Sequence, residues 1–314
     1  MNRYKWKANS RSSQLLIELE AVNLVFSQLK SLPEAEENLR RTALLKSAVF
    51  SARIEGLLDT ELSPKLESQN LLTAYKWIRS AKAPNKITLN LVRNLHKLAL
   101  KNISGVAGQW RNEPWAIFDS AGRVIHLAAP HFELAKLMPE WVTWINKMRE
   151  HVSVHAALAQ FGLEKIHPFA DGNGRVGRLV SAFILEKGGM GFRGLAPFEE
   201  YIDKHRDEYY EALEPNLDAT KFVEFSLEAL IIQAKETVEK LSQANEVRPA
   251  DKLLPRRKEI LEVVRDHPNC SFDLIARRFA AVNPKTLHYD LGQLMKIGLV
   301  KKLGVSRGSV YGAN

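Results

Sequence analysis

The chain is 314 residues long, 45% hydrophobic, and carries a formal net charge of +9 with a single cysteine, Cys270. That length supports a buried core and more than one domain. No run of eighteen apolar residues is present to span a membrane, and one thiol excludes both an intrachain disulfide and a multi-thiolate metal site. The basic opening Met1-Asn2-Arg3-Tyr4-Lys5-Trp6-Lys7 leads into no apolar signal region, so a reduced, cytoplasmic setting is expected.

Apolar spacing at the helical period predicts helices over Gln14 to Lys30, Ala35 to Leu58, Leu66 to Ala81, Leu89 to Lys101 and Leu134 to Met148. Between the last two, Trp110 to Ala128 places β-favouring runs on either side of Asp119-Ser120-Ala121-Gly122, a hairpin signal. A helix over Val152 to Lys165 stops at His167-Pro168, because the residue before proline is pushed out of the helical region. The next begins near Asn173-Gly174 and runs to Glu186; helices over Glu199 to Leu213 and Thr220 to Ser242 follow. Ser242 to Pro255 is polar with two prolines and reads as a linker.

Beyond the linker, short helices are expected at Arg257 to Asp266, Phe272 to Ala280 and Pro284 to Ile297, then a two-stranded wing from Gly298 to Tyr311. Asn283 before Pro284 is a helix start signal. This order resembles a winged helix. Residues 250–314 hold twelve Lys+Arg against six Asp+Glu, so much of the positive charge lies here and a polyanionic partner is one reading. If that partner is DNA, Lys285, Thr286, His288, Tyr289 and Gln293 on the second helix and Arg307 on the wing are the candidate contacts. The competing reading is a protein-docking or homodimerising module.

The chemistry concentrates in Ile166 to Arg178, IHPFADGNGRVGR. Its G-x-G-x-x-G lacks the entering strand and the βαβ context of a dinucleotide site, and no Lys-Ser/Thr follows as in a P-loop. Glycines at a helix start remain an anion site, since backbone N–H groups and the positive helix end face the ligand. Asn173 adds a donor, Arg175 and Arg178 lie three apart to reach polyphosphate oxygens, and Asp171 is a hard carboxylate suited to Mg²⁺ beside phosphates. His167, held by Pro168, is placed to take a proton from a hydroxyl.

HPFADGNGRVGR matches the Fic-domain motif H-P-F-x-[DE]-G-N-G-R-x-x-R at every fixed position, and the chain resembles that family from about Ser51 to Leu230. The resemblance implies a mainly α fold, a Fic-type helical bundle with a β-hairpin flap, to which the C-terminal winged helix is appended. It divides the chain into an N-terminal helical region (1–62), a Fic catalytic domain (63–245) and a winged-helix domain (246–314). It also implies transfer of AMP from ATP to a Tyr, Thr or Ser hydroxyl of a protein target. In that reading His167 is the base and Asp171 holds Mg²⁺. Gly172, Asn173 and Gly174 form the anion hole, and Arg175 and Arg178 hold the outer phosphates. Glycine at 174, where phosphorylating Doc-like relatives have lysine, is consistent with an AMP-transferring member.

Ser51-Ala52-Arg53-Ile54-Glu55-Gly56 is similar to the family's inhibitory-helix pattern [ST]-x-x-x-E-[GN], in which Ser51 and Glu55 restrain the second motif arginine, here Arg178. The same glutamate serves removal of AMP in some relatives, so the direction of the reaction stays open. The hairpin resembles the family's target-docking flap, with Ile125 and His126 in its second strand. Tyr209, Tyr210 and Asn216 match the segment that encloses adenosine. Departures from common relatives fall at Gln160 and His205. A second reading from another class is a DNA-binding regulator whose Fic domain senses nucleotide.

Overall fold

The computed structural model of the chain describes residues 4–30, 33–55, 63–118, 124–214, 217–245, 253–304 and 309–314. It divides into two compact units, Met1–Gln243 and Ala244–Asn314. In the first, α1 (Ser10–Gln28) starts a turn earlier than its apolar spacing predicts. The cause is a capping box: the Ser12 N–H donates to Asn9 Oδ1 and the Asn9 N–H to Ser12 Oγ, each at 2.9 Å. Helix α2 (Pro33–Ile54) opens on proline, the favoured first position. It is followed by α3 (Ser63–Ile78) and α4 (Leu89–Ala99), the latter capped by Thr88.

Strands β1 (Ala116–Phe118) and β2 (Val124–Leu127) pair antiparallel, Ala116 opposite Leu127 and Ile117 opposite His126, with an irregularity between Ile117 and Phe118. The first arm of the expected hairpin is therefore short. Trp110 to Trp115 is not strand, because its side chains and amides are committed elsewhere, as described below. The turn of the hairpin lies outside the described residues.

Helix α5 (Leu134–Lys147) leads to α6 (Val152–Ile166) and α7 (Asn173–Lys187), both buried along most of their length. Their small residues allow close approach. A Cβ on Gly177 would lie 2.9 Å from Glu164 Oε1 and 3.1 Å from Gln160 Cγ, so the missing side chain makes room for two polar groups of α6. The single helix expected over Glu199 to Leu213 is two, α8 (Phe198–Lys204) and α9 (Arg206–Ala212). They are broken at His205, whose ψ of 45° is non-helical and whose ring stacks back on Tyr201. Helix α10 (Thr220–Asn245) runs three residues into the stretch expected to be linker. The core of this unit includes Leu19, Phe26, Ala48 and Ile54, so the N-terminal helices share one interior with α3 to α10 rather than forming a separate body.

The second unit holds α11 (Pro255–Asp266), β3 (Cys270–Ser271), α12 (Phe272–Arg278), α13 (Pro284–Lys296), β4 (Val300–Leu303) and β5 (Val310–Ala313). Its sheet has the order β3-β5-β4, so the wing gains a third strand that sequence patterning did not indicate. Two residues are too short to show alternation. Asn283 caps α13 through the Lys285 N–H at 2.9 Å, as expected. Asp290, buried on α13, accepts from Arg256 and Arg257 Nε of α11, each at 2.7 Å. Its carboxyl is held below the usual range because the two arginine hydrogen bonds outweigh the cost of burial. We expect Asp290→Ala to destabilise this unit by about 1–3 kcal/mol, read as faster amide exchange in α11 and α13 with α6 and α7 unchanged.

Candidate functional site

The site is assembled where α6 ends. His167 has φ 52° and ψ 61°, a left-handed conformation rare for a residue with a Cβ; the following proline explains why the helix stops there but not the positive φ. The strained peptide is pinned from outside the helix. Arg111 Nε donates to His167 O at 2.7 Å, and the Arg111 N–H donates to Pro168 O at 2.9 Å. The ring is oriented by its Nδ1, 3.2 Å from the carbonyl of Glu164. A carbonyl only accepts, so Nδ1 carries the proton and Nε2 is the ring's acceptor.

The loop from Pro168 to Gly172 is fixed by side chains. Asn173 brackets Phe169, accepting its N–H at 2.9 Å and donating to its carbonyl at 2.8 Å. The side chain thereby braces the loop through Oδ1 and one of its two amide hydrogens, a structural task beside the donor role expected of it. Gly172 takes φ 79°, and a Cβ there would come within 3.0 Å of Leu100 Cδ1. The first intrahelical bond of α7 joins the Val176 N–H to Gly172 O, so the earlier amides have no carbonyl within the helix. Gly172, Asn173 and Gly174 all line a cavity of about 770 Å³, together with His167, Asp171 and Tyr209.

The two arginines do not present a common face to that cavity. Arg175 is buried and bonded to Glu67 of α3 and, at 2.8 Å, to Asp171 Oδ1. Arg178 is wholly buried: Nε donates to Ser51 Oγ at 2.9 Å and Nη2 to Ser51 O at 2.8 Å and Glu55 Oε1 at 2.7 Å. Neither is among the residues lining the cavity. Both guanidinia are engaged within the unit, Arg178 by the Ser51 and Glu55 that the sequence pattern pairs with it and Arg175 by Glu67 and Asp171, which helical spacing on α7 did not indicate. Burial works against the charge of Arg178, but Glu55, Tyr209 and Glu164 together outweigh it and the guanidinium is held more firmly protonated than usual. A Cβ on Gly174 would lie 2.3 Å from Glu55 Oε1, so only glycine lets that carboxylate reach its place.

Tyr209 is buried, its hydroxyl accepting from Gln160 Nε2 at 3.0 Å and standing 3.5 Å from Arg178 Nη1. Tyr210 is half exposed and donates to Ile54 O at 2.8 Å, which ties α9 to the end of α2. Ser51, Glu55, Arg178, Tyr209 and Tyr210 therefore form one connected cluster. Ile125 and His126 lie on β2 as expected; Asn216 lies outside the described residues. In the second unit, Lys285, His288 and Tyr289 are exposed on α13, His288 stacked on Phe272 at 3.8 Å, while Thr286 and Gln293 are half-buried. Arg307 lies outside the described residues.

Four residues of the site were not singled out from sequence. Glu67 sits on the buried stripe of α3 and Glu164 on that of α6. Burial pushes the Glu67 carboxyl up despite Arg175, and burial together with the Glu55 carboxylate pushes Glu164 up to about 7. Arg111 precedes the flap. His96 lies on the apolar face of α4, accepts the Gly108 N–H at Nδ1 (2.7 Å) and so must donate from Nε2 to Asp171 O at 3.1 Å. A polar residue in phase with an apolar stripe is the signal that marks Glu67 and His96.

Residues 86–185 match the family model described as Fic/DOC family. The chain is 26% identical over 198 residues to the protein adenylyltransferase Fic of Drosophila erecta, covering 54% of this chain and 38% of that protein. Against the protein of the same name from Aedes aegypti it is 29% identical over 177 residues, covering 52% and 33%. The chain thus spans about a third to two-fifths of the curated relatives it matches. The crystal structure of a Fic family protein from Desulfovibrio desulfuricans G20 superposes with a TM-score of 0.77 at 21% identity, covering 99% of this chain and 98% of that one. The fold is accordingly shared over both units.

His96 generates a pH prediction. Burial lowers its pKa from 6.5 to about 4, so the folded state holds it neutral while the unfolded chain protonates it near pH 6.5. The stability this contributes is complete above about pH 6.5 and is lost as pH falls toward 4, on the order of 3 kcal/mol in total. His96→Asn should lose about 2–3 kcal/mol less than the wild type between pH 7 and about pH 4.5 in urea unfolding.

Proposed function

On the premise that residues 86–185 of this chain are a Fic-family domain, we propose that the protein is a self-inhibited adenylyltransferase that moves AMP from ATP to a Tyr, Thr or Ser hydroxyl of a protein target. The observation that carries the reading is the placement of His167 beside the first-turn amides of α7, on one cavity large enough for a nucleotide. The target oxygen attacks the α-phosphorus, the bond to the β-phosphate oxygen breaks, and pyrophosphate leaves. His167 Nε2 takes the hydroxyl proton, and the amides of Asn173 and Gly174 neutralise charge on the phosphate, joined by that of Gly172 where the phosphate replaces its bond to Asp171 Oδ1. Tyr209 and Tyr210 on the wall suit the adenosine end.

Mg²⁺ fits the donor set. The Asp171 side chain is 63% exposed, Asp171 lines the cavity, and its hydrogen bonds from the Gly172 N–H and Arg175 both fall on Oδ1. Among the described residues no three His, Cys, Asp or Glu side chains converge, which suits an ion with one protein carboxylate and a shell completed by phosphates and water. Such an ion supplies charge neutralisation at the phosphates.

Self-inhibition is supported by Glu55. Its carboxylate occupies Arg178 and stands directly over Gly174, where a phosphate would approach the amides. One guanidinium does not give the same edge to a carboxylate and a phosphate. The open edges of the two-stranded flap suit pairing with an extended target segment.

A polyanionic partner for the second unit is supported by its excess of positive charge. Lys285, Lys296, Lys301 and Lys302 stand at exposed positions of α13 and β4, and Lys258, Arg265, Arg277 and Arg278 are exposed on α11 and α12 beside the acidic Glu259, Glu262, Asp266 and Asp273. That balance suits duplex DNA, with a protein partner or a second copy as the competing outcome.

Labelled AMP incorporation should rise at least about tenfold in Glu55→Gly, which frees Arg178. His167→Ala should lower it by about a hundredfold or more in the same background. An unchanged rate in Glu55→Gly removes the self-inhibited reading. The full chain should bind a fluorescent DNA duplex about tenfold or more weakly at 200 mM than at 50 mM salt, and Lys285→Glu should weaken it; no binding at low salt removes the DNA reading.

A further inference from the structure

The indole of Trp115 lies face to face with the imidazole of His167, ring centroids 3.5 Å apart and planes inclined by 25°. Trp115 is half-buried on the cavity wall at the foot of β1, and its carbonyl accepts the Ala128 N–H at 3.1 Å. Its position is not left to the flap alone. Arg111 Nη1 donates to the Glu113 carbonyl at 2.8 Å, and the same guanidinium bonds Ala129 O and His167 O. One buried side chain therefore fastens both the peptide that carries the imidazole and the segment that carries its stacking partner.

The contact acts differently on the two protonation states of the ring. A neutral imidazole gains packing and loses rotational freedom against a fixed indole. An imidazolium gains in addition from the negative face of the indole, and more so in a partly desolvated cavity. Other charged groups around the cavity pull in both directions: Glu55 just past α2, Glu164 and Lys165 on α6, Asp171 in the loop, Asp207 and Glu211 on α9, and Glu214 just beyond it. Arg111 Nε donates to the His167 carbonyl. Trp115 is stacked on a face of the ring.

We propose that Trp115 is a positioning residue for His167, holding the imidazole with Nε2 toward the cavity and stabilising the imidazolium formed when the target hydroxyl gives up its proton. The chemical step rests on the adenylyltransferase reading; the contact and its effect on the ring do not. Because Trp115 lies at the foot of the strand pair, a target segment docked on the flap is brought next to the same ring.

The test is proton NMR of the imidazole C2–H of His167 in the full chain, assigned by its loss in His167→Asn and followed as a function of pH. In the wild type, the indole ring current should shift this resonance upfield. Trp115→Leu should abolish the shift and move the titration midpoint to lower pH by up to about one unit, whereas Trp115→Phe, which keeps an aromatic face, should retain most of both. In a Glu55→Gly background, Trp115→Leu should lower kcat about tenfold, leave KM for ATP nearly unchanged, and move the acid limb of the rate profile with the midpoint. A resonance and midpoint unmoved in folded Trp115→Leu overturn the proposal, as does a kcat unmoved in active enzyme. If the midpoint moves while no variant transfers AMP, the effect on the ring stands and the adenylyltransferase reading fails.

Discussion

A guanidinium with no solvent exposure must be paired, and the pairing of Arg178 organises the first unit. An unpaired buried charge costs several kcal/mol, so the chain has to bring acceptors to it. They come from α2, in Ser51 and Glu55, and the hydroxyl of Tyr209 on α9 completes the surround. One cation on α7 thereby ties together elements more than a hundred residues apart, and the tie passes directly over the anion loop. The same interaction that completes the fold also brings the Glu55 carboxylate against Gly174 at the start of α7.

Around that tie, the loop between α6 and α7 is held by short polar contacts rather than by its own sequence. Asn173 braces Phe169, His96 braces Asp171 with a tautomer dictated by Gly108, and Arg111 braces His167. Phe169 is sandwiched between His96 and Trp110, at 3.8 and 4.8 Å. Preorganisation of this kind removes the cost of arranging donors at the moment of reaction. The neighbouring Glu164 is pushed up to about 7, first by its burial and then by the Glu55 carboxylate.

The legibility of the site varied with the range of the interaction. The break at His167-Pro168, the helix start at Asn173 and the cap at Asn283 follow from nearest neighbours, and all three stand where residue chemistry puts them. The split at His205 and the three added residues of α10 did not follow, since propensity is weak beside the packing of Tyr201 on His205 and the burial of Leu241 near the helix end. Trp110 and Trp115 read as strand by composition, yet one packs on Phe169 and the other on His167.

By itself the sequence determined the chemistry available: a histidine before proline, a carboxylate, and glycines at a helix start, all within twelve residues and therefore together in space whatever the rest of the chain does. It also fixed the buried faces, because a helical period states which side of a helix is apolar. Only the tertiary structure decided the partners of those groups. Glu67 for Arg175, Ser51 and Glu55 for Arg178, and Trp115 for His167 each come from a different element. A periodic pattern identifies a face that must be covered, but the covering element is chosen by packing of the whole unit.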